Sequence, residues 1–457
     1  MAVAARGTAP EASAEEGLSP VRGLPPAPGL APLAQTLAWT LVPTWFMRRC
    51  VSRVGDVFTM QFFPSGLRFV MLADPTAVKQ IFTAPPDIAP SAAGNSPILP
   101  VVGASSVLVT TGPEHMRQRK LLLPPFHGER MREYEEVIVQ ATRADMASWP
   151  HGRATSVLPR SRAITLEVIM TAVFGIEGER REPLRRAIGA LLAPVNFLAI
   201  LRIALRRPSM ERPTGAIGRA LDDLDAILYA EIAAHRKATD LEDRNDILSL
   251  LMQARDEDGD PMTDQELRDE LVTLLLAGHE TTATSVAWAI ERLARHPQKL
   301  ARLQAEIDAG EDHYMNVVIA ETLRVRPVVP IVTRRLQQEM EVGGYVLPAG
   351  TTVAPCIYLT NRNPRTYERP DEFEPERFLD EAPDTFSWIP FGGGIRRCIG
   401  AAFAQMEMKV ILRTMLTELT PSVPSRTIWR RGEPVRRRAI TMVPMQGARV
   451  VFSARQG

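Results

Sequence analysis

The amino-acid sequence predicts a mainly α-helical protein with a small β portion, that is, an α+β fold. Three observations predict it: an apolar stripe at helical spacing from Ala216 to His235, a very long helical pattern after Thr263, and few β-rich runs. The chain has 457 residues, 45% of them hydrophobic, which is enough to bury a large core. No linker-like stretch or internal repeat interrupts it. We therefore expect a flexible Ala/Pro/Glu-rich leader over residues 1–30 and a single domain over residues 31–457.

The charge balance and the cysteines limit the classes of function. Lys and Arg number 54 and Asp and Glu 53, a formal net charge of +1, so no global field holds the chain on nucleic acid. Three widely spaced cysteines, Cys50, Cys356 and Cys398, argue against a disulfide framework and for a reducing compartment. We expect a cytoplasmic protein that does not bind nucleic acid.

The apolar run Leu37–Val42 is too short for a transmembrane anchor, because a bilayer span needs roughly 20 apolar residues. Pro32, Pro43 and the charged pair that follows interrupt the stretch around it. The run is expected to form an amphipathic helix on the globular body. Peripheral membrane contact stays open as an alternative.

Two β-rich runs, Val57–Phe63 and Arg68–Leu72, are joined by the turn residues Pro64-Ser65-Gly66. Such runs around a Pro/Gly turn are typical of a β-hairpin. Further along, apolar residues recur at spacings of three and four, which places them on one face of a helix. These residues are Ile217, Leu221, Leu224, Leu228 and Ile232.

The longest helical pattern starts at Thr263, which forms a capping-box sequence with Glu266, and ends before Pro297. At 1.5 Å per residue such a helix is on the order of 50 Å long. A second β region is expected from Met340 to Val353. The last helix is expected from about Gly400 to Leu419.

The chain ends in a predicted terminal hairpin, Ala439–Met442 with Arg449–Phe452. An arginine-rich stretch precedes it, for which a solvated loop is at least as good an interpretation as a docking surface. Its arginines are Arg426, Arg430, Arg431, Arg436, Arg437 and Arg438.

Polar residues interrupt the apolar face of the long helix at His279-Glu280-Thr281. Buried polar groups are costly unless they are paired or functional. A threonine that bonds back to a carbonyl also bends a helix and opens a groove for water, which can deliver protons. A zinc site of the H-E-x-x-H type is excluded, because Ala283 stands where the second histidine is needed.

The segment Phe391-Gly392-Gly393-Gly394-Ile395-Arg396-Arg397-Cys398-Ile399-Gly400 contains four glycines in ten residues. Consecutive glycines permit positive φ and let the backbone approach a bulky planar group. The helix that begins after Cys398 directs its positive end at the sulfur, which favours the thiolate. Arg396 supplies a planar cation suited to a carboxylate.

The pattern F-x-x-G-x-R-x-C-x-G resembles the haem-binding signature of the cytochrome P450 family. It is matched by Phe391, Gly394, Arg396, Cys398 and Gly400. The resemblance implies a P450-like fold with a long central helix over the haem and a cysteine loop beneath it. It implies haem b (iron protoporphyrin IX) as the cofactor, with the Cys398 thiolate as axial iron ligand. Phe391 is then part of the cofactor site.

The sequence Ala277-Gly278-His279-Glu280-Thr281 is similar to the oxygen-site motif of that family. The resemblance implies Glu280 as the proton-relay acid, Thr281 as the catalytic hydroxyl and Gly278 as a cofactor contact. Thr282 is interpreted as a plain helix-face hydroxyl. His279 is expected beside the site or at the surface, and not as an iron ligand.

Other residues match supporting positions of the family. His115, Arg119 and Arg334, together with Arg396, are expected to bind the haem propionates, with ordinary surface ion pairs as the alternative. A structural triad is also implied, which fixes the scaffold of the cysteine loop. Its members are Glu321, Arg324 and Arg377.

The implied function is a monooxygenase that inserts one atom of O2 into a lipophilic substrate: a fatty acid, terpenoid, steroid or polyketide. A monomer is expected, with electrons from a ferredoxin or flavodoxin and its reductase, docking on a basic face. The alternatives are a peroxide-driven hydroxylase and a haem-binding sensor or carrier without turnover. The basic face is expected at Arg117, Lys120, Arg396 and Arg397. Substrate contacts are expected from Ile98–Val102, Pro194–Leu198, Val328–Val332 and Met442–Val443.

Overall fold

The computed structural model describes residues 20–91, 98–126, 130–175, 180–191, 212–425, 427 and 432–455. Over these residues the chain forms fifteen α-helices and four small sheets. The helices are α1 Pro32–Leu41, α2 Pro43–Val54, α3 Pro75–Phe82, α4 Leu99–Val102, α5 Gly112–Leu122, α6 Arg130–Met146, α7 Val157–Ala172, α8 Arg181–Leu191, α9 Gly215–Arg236, α10 Ile247–Gln253, α11 Asp264–Arg295, α12 Pro297–Asp308, α13 His313–Val325, α14 Ile357–Thr360 and α15 Ala401–Glu418.

The strands are short. They are β1 Val21–Arg22, β2 Val57–Gln61, β3 Arg68–Leu72, β4 Ala154–Ser156, β5 Arg334–Arg335, β6 Met340–Val342, β7 Tyr345–Leu347, β8 Thr352–Pro355, β9 Leu419–Ser422, β10 Val435–Arg438, β11 Thr441–Pro444 and β12 Arg449–Ala454. Several of these strands, including the fully buried β11, pack against the long helix. The predicted fold class, mainly α with a small β portion, is confirmed.

The long helix α11 has 32 residues and forms the centre of the core. Its capping box is present: the Thr263 hydroxyl accepts from the Glu266 amide at 3.2 Å, and the Glu266 carboxylate accepts from the Thr263 amide at 2.8 Å. Helix α7 packs along one side of it and α15 along another. The stretch from residue 282 to 294 is buried without interruption, so the helix passes through the molecule.

The predicted β2–β3 hairpin is confirmed, with Val57 opposite Leu72 and Gln61 opposite Arg68. It belongs to a four-stranded sheet in the order β2-β3-β8-β5, in which β3 and β8 run parallel. This pairing brings β5, and with it Arg334, next to the N-terminal part of the chain.

The predicted terminal hairpin is wrong. Strand β11 pairs with β10, and β12 pairs with β9 and β4. The tight turn at Ala439, where φ is 51°, folds the arginine-rich strand back on β11, which leaves β12 for another sheet. Arg436 to Arg438 therefore lie in a strand, with Arg437 stacked 4.9 Å over the Trp39 ring, and not in a solvated loop. Arg426, Arg430 and Arg431 lie outside the described residues.

The expected leader extends too far, because Val21–Arg22 already pair with Tyr345 and Val346 as strand β1. The Pro26 carbonyl also accepts from the Thr59 amide at 2.9 Å. Residues 1–19 lie outside the described part of the chain. In the part that is described, no helix is both long enough and apolar enough to cross a membrane.

Candidate active site

The loop that carries Cys398 is held at both ends by hydrogen bonds. The Cys398 amide donates to the Phe391 carbonyl at 3.0 Å, which closes the loop. The Phe391 ring packs at 6.0 Å from Trp388, whose indole N–H donates to the Ala320 carbonyl of α13 at 3.0 Å. The loop is thereby fixed to the helical core before the cysteine is reached.

The glycines of this loop are required by a close approach to α3. A Cβ on Gly393 would lie 2.2 Å from the Phe82 ring, and one on Gly394 would lie 2.3 Å from the Phe82 carbonyl. Gly394 also has a φ of +65° and Gly392 a φ of +67°. The sequence predicts these positive φ values and also a close approach to a bulky planar group. At Gly393 and Gly394 the close neighbour is instead the side chain and backbone of Phe82.

Cys398 is accessible, whereas Cys50 and Cys356 are buried. The protein around its sulfur still desolvates it, and burial raises the pKa of the Cys398 thiol. A hydrogen bond from the Gly400 amide and the charges of Arg119 and Arg397 act in the opposite direction. The helix terminus thus favours the thiolate as expected, but burial outweighs this effect; a metal ion bound to the sulfur would displace the proton.

Three guanidinium groups converge beside this loop on His115. Arg334 is buried, and desolvation lowers its pKa to about 10, as it does for Arg396. Burial, and then the charges of Arg396, Arg119 and Arg334, lower the pKa of His115 to about 4, so this imidazole is neutral near pH 7. Its Nδ1 atom has no hydrogen-bond partner within the described residues.

In the described ranges none of these arginines forms an ion pair; each donates to backbone carbonyls. Arg119 donates to the Arg397 carbonyl at 2.8 Å, Arg334 to the Gly393 carbonyl at 3.2 Å, and Arg396 to the Val107 carbonyl at 2.9 Å. Buried cations without counter-ions are costly. The cluster therefore fits a ligand with carboxylates, and the adjacent Cys398 fits a soft metal such as haem iron.

The middle of α11 contains the predicted oxygen-site residues. The Thr281 hydroxyl donates to the Ala277 carbonyl at 2.6 Å, the back-bond expected from the sequence. Ala277 is exposed although it lies at the centre of a buried helix, which shows that this face borders a cleft. Gly278 is on a different face, where an added Cβ would lie 3.5 Å from Ile169 of α7.

Glu280 is held by arginines that the sequence did not indicate. Arg162 of α7 donates to its carboxylate through Nε at 2.7 Å and Nη2 at 2.5 Å, and Arg438 lies 3.6 Å away. His279 is buried, with its Nε2 atom 3.0 Å from the Arg162 carbonyl, so it lies beside the site. No motif predicts Arg162, because it is 118 residues distant in sequence from Glu280.

Thr282 is not a plain helix-face hydroxyl. It is buried and hydrogen-bonds to Glu407 on α15, nine residues after Cys398. Burial raises the pKa of Glu407 to about 8, so this carboxyl group is protonated near pH 7. The pair joins α11 to the helix of the cysteine loop beside Thr281. The feature of the sequence that points to this pair is Glu407 itself, a lone acidic residue in an apolar stretch of α15.

The predicted triad is present. Arg324, fully buried, makes two bonds of 2.7 and 2.8 Å to Glu321, and Arg377 lies 3.3 Å from the same carboxylate. Arg324 also donates to carbonyls of the segment that leads to the cysteine loop. These are the carbonyls of Asn361, Pro370 and Glu372.

The segment from Ser105 to Val107 is attached to α11 by three successive contacts. The Ser105 amide donates to Asp269 at 3.0 Å, the Ser106 hydroxyl lies 2.6 Å from Thr273, and the Val107 amide donates to Glu270 at 2.7 Å. The Val107 carbonyl accepts from Arg396 of the cysteine loop. The backbone of one residue, Val107, is therefore bound by both α11 and the cysteine loop.

We expect Glu270→Leu to weaken substrate binding about tenfold, because a buried acceptor for the Val107 amide is lost. Burial raises the pKa of Glu270 to about 8, so Glu270→Gln imitates the protonated side chain and should bind within about twofold of the native protein. Spectral substrate titrations measure both. Equal affinity of the leucine and glutamine variants would contradict a positioning role.

The expected basic docking face needs correction. Arg117 is paired with Asp256 at 2.6 Å and with Glu266 at 2.5 Å, and Lys120 with Glu257 at 2.5 Å. Arg396 is directed inward to backbone carbonyls. Lys120 and Arg397 are the exposed members of this set, and of these two Arg397 forms no ion pair with a described residue. The charges of Arg117 and Lys120 are thus offset by neighbouring carboxylates.

Comparisons with known proteins agree with this geometry. The sequence model of the family described as cytochrome P450 matches residues 25–444. The chain is 40% identical over 412 residues to the Mycobacterium tuberculosis protein named "Putative cytochrome P450 137", which covers 89% of this chain and 85% of that relative. It is 39% identical over 436 residues to "Putative cytochrome P450 135B1" of Mycobacterium bovis, covering 94% and 91%. The fold is similar to that of retinoic acid-bound cyanobacterial CYP120A1, with a TM-score of 0.78, 23% identity, and coverage of 96% and 100%.

Proposed function

Since the chain belongs to the cytochrome P450 family and is therefore a haem-thiolate monooxygenase, we propose that it inserts one atom of O2 into a lipophilic small molecule at a haem b bound through Cys398. The observation that carries the assignment of the site is the cluster of three guanidiniums without carboxylate partners beside Cys398, among the described residues. When bound, haem supplies the activation of O2, which a thiolate ligand assists.

In this proposal the residues of the chain bind the haem and orient it. Arg119, Arg334 and Arg396 bind the two propionates, and neutral His115 donates one further hydrogen bond. The Cys398 sulfur binds iron, and the Gly400 amide stabilises the negative charge on it. Phe391 fixes the loop through its carbonyl and ring. Gly278 stays a proposed cofactor contact, although a Cβ added to it would face α7.

Proton supply is assigned to Thr281 and Glu280. The Thr281 hydroxyl borders the cleft at Ala277. Glu280 lies beside it, and its carboxylate is oriented by Arg162. Groups of this kind contribute roughly 10²–10⁴-fold when they transfer protons in the reaction.

We expect Thr281→Ala to lower the product formed per NAD(P)H about tenfold and to release hydrogen peroxide, with the substrate Kd changed by no more than about twofold. Thr284→Ala is the matched control, because Thr284 is a buried threonine on the same helix. Product and peroxide are measured in one reconstituted assay. Unchanged coupling in Thr281→Ala would remove Thr281 from the mechanism.

A lipophilic substrate is supported by the apolar lining near this part of α11. Leu99, Val102 and Val109 form a cluster against Leu276, directly before Ala277. The class proposed is a fatty acid, terpenoid, steroid or polyketide, and a spectral binding screen over these classes tests it. Absence of a binding shift with every class would contradict the substrate assignment. The expected contacts at Pro194–Leu198 lie outside the described residues.

Electrons are proposed to come from a ferredoxin or flavodoxin with its reductase, in the cytoplasm, to a monomeric enzyme. NAD(P)H-dependent product formation with these partners supports the proposal. Product formed only with added peroxide would indicate a peroxide-driven hydroxylase, and ligand binding without product would indicate a sensor or carrier. The Glu280–Thr281 pair, which a peroxide-driven enzyme does not need, favours the first.

A further inference from the structure

We propose that the N-terminal face of the molecule docks peripherally on a membrane surface that contains anionic lipids. This inference goes beyond the function proposed above and does not depend on it. The face is formed by α1, the start of α2 and the β2–β3 turn, and we call it the N-terminal apolar face. Its exposed residues are Leu33, Leu37, Leu41, Val42, Trp45, Phe63 and Leu67.

Helix α1 presents two opposite faces. Gln35 and Trp39 are buried against the body of the protein, where Trp39 contacts Phe62 at 6.0 Å between ring centroids. Leu33, Leu37 and Leu41 follow at spacings of four, so they lie on one face, and they are 51%, 41% and 63% exposed. An apolar stripe of this size at the surface is unusual unless something covers it.

The stripe continues onto neighbouring elements. The Phe63 amide donates to the Thr36 hydroxyl at 2.9 Å, which places the turn with Phe63 directly beside α1. On α2, Trp45 is 55% exposed and carries Arg49 stacked over its ring at 5.5 Å. Arg53 follows at the same spacing of four. Tryptophan and phenylalanine beside arginine are typical of helices that lie in the membrane interface.

The segment that forms the face is predominantly cationic, and the exposed carboxylate of Asp371 beside it is paired with Arg48 of α2. Between residues 20 and 73 the single carboxylate is that of Asp56, and it is paired with Arg365 at 2.5 Å. Arg49, Arg53 and Arg68 are exposed and form no ion pair with any described residue. The face is therefore apolar at its centre and cationic at its edge, although the whole chain is nearly neutral. This arrangement complements anionic headgroups over an acyl layer.

The same features disfavour two other occupants. A second copy related by a twofold axis would bring the arginines of both copies together, because a twofold interface pairs identical surfaces. The leader over residues 1–19 is rich in Ala and Glu and poor in large apolar residues, so it has little to bury against leucine, tryptophan and phenylalanine. A lipid surface satisfies both the apolar centre and the cationic edge.

The test is co-sedimentation of full-length, haem-loaded protein with vesicles of phosphatidylcholine and of phosphatidylcholine mixed with phosphatidylglycerol. We expect at least about tenfold tighter binding to the anionic vesicles, weakened by salt. The double variant Leu37→Ser/Trp45→Ser should lose about tenfold in binding to both. Arg49→Glu/Arg53→Glu should lose the preference for anionic lipid. Met116→Ser, which removes an exposed apolar residue of α5, is the control and should bind normally.

Three outcomes would overturn the proposal. The first is no binding to either vesicle, or equal binding by the native chain and Leu37→Ser/Trp45→Ser. The second is dimerisation without vesicle binding, measured by sedimentation equilibrium and abolished by that double variant. The third is binding only after residues 1–19 are removed, which would show that the leader covers the face. Turnover of Leu37→Ser/Trp45→Ser in detergent-free solution should equal that of the native protein. A failure of the membrane proposal can therefore be distinguished from a failure of the proposed catalytic function.

Discussion

Replacement of Cys398 by alanine is expected to abolish the absorbance band that marks a thiolate-ligated haem in the reduced, CO-bound protein. Turnover should fall at least about a thousandfold, because no other group described near the arginine cluster supplies a sulfur ligand. Cys398→His distinguishes loss of the ligand from loss of the cofactor. This variant should keep haem bound through nitrogen, with a shifted band and without turnover.

Cys50→Ala is the matched control for this prediction. Burial raises the pKa of Cys50 to about 12, and that of Cys356 likewise to about 12, so neither is a thiolate at neutral pH. The control should keep the band and lose only about 1 kcal/mol of stability from the smaller core side chain. A thiolate band that persists in Cys398→Ala would disprove the assigned ligand.

Glu321→Ala should cause the largest loss of stability of any single change discussed. It leaves Arg324 charged, fully buried and without its carboxylate, and removes a bond from Arg377. Breaking a buried ion pair on one side costs about 3–5 kcal/mol, a large part of the 5–15 kcal/mol that typically stabilises a folded protein. The urea midpoint of the haem-loaded protein, followed by fluorescence and by haem absorbance, measures this loss.

The comparison variant is Glu339→Ala, which breaks the exposed pair with Arg22 at 3.3 Å. Exposed pairs contribute about 0–1 kcal/mol, so its unfolding midpoint should hardly move. If Glu321→Ala and Glu339→Ala had similar midpoints, the triad would not be a determinant of stability. Haem release that precedes unfolding in Glu321→Ala would further support its attachment to the cysteine loop.

Features encoded within a short stretch of sequence could be predicted well. The capping box at Thr263, the β2–β3 hairpin and the Glu321–Arg324 pair follow from residues that are near neighbours in the chain. The pairing of the last strands could not be predicted, because it depends on strands that are distant in the sequence. Strand β12 pairs with β4, which lies nearly three hundred residues earlier.

In the candidate site, too, the residues themselves could be predicted from motifs, whereas their contact partners could not. Arg119, Arg334 and Arg396 were identified from motifs, but their lack of carboxylate partners is visible only in the fold. Arg162 on Glu280 and Glu407 on Thr282 are contacts between distant helices; the sequence marks Glu407 as an unusual acid in an apolar stretch, but it does not say which residue either side chain contacts. The expected basic surface at Arg117 failed for this reason, since its acidic partners lie 139 and 149 positions away.

The three guanidiniums beside Cys398 belong to a helix, a sheet and a loop, since Arg119 lies in α5, Arg334 in β5 and Arg396 before the cysteine. Their mutual repulsion opposes the docking of these parts until anions neutralise it. A ligand that binds only the native chain stabilises it by mass action. During biosynthesis, the yield of native protein in a cell should therefore follow the supply of tetrapyrrole.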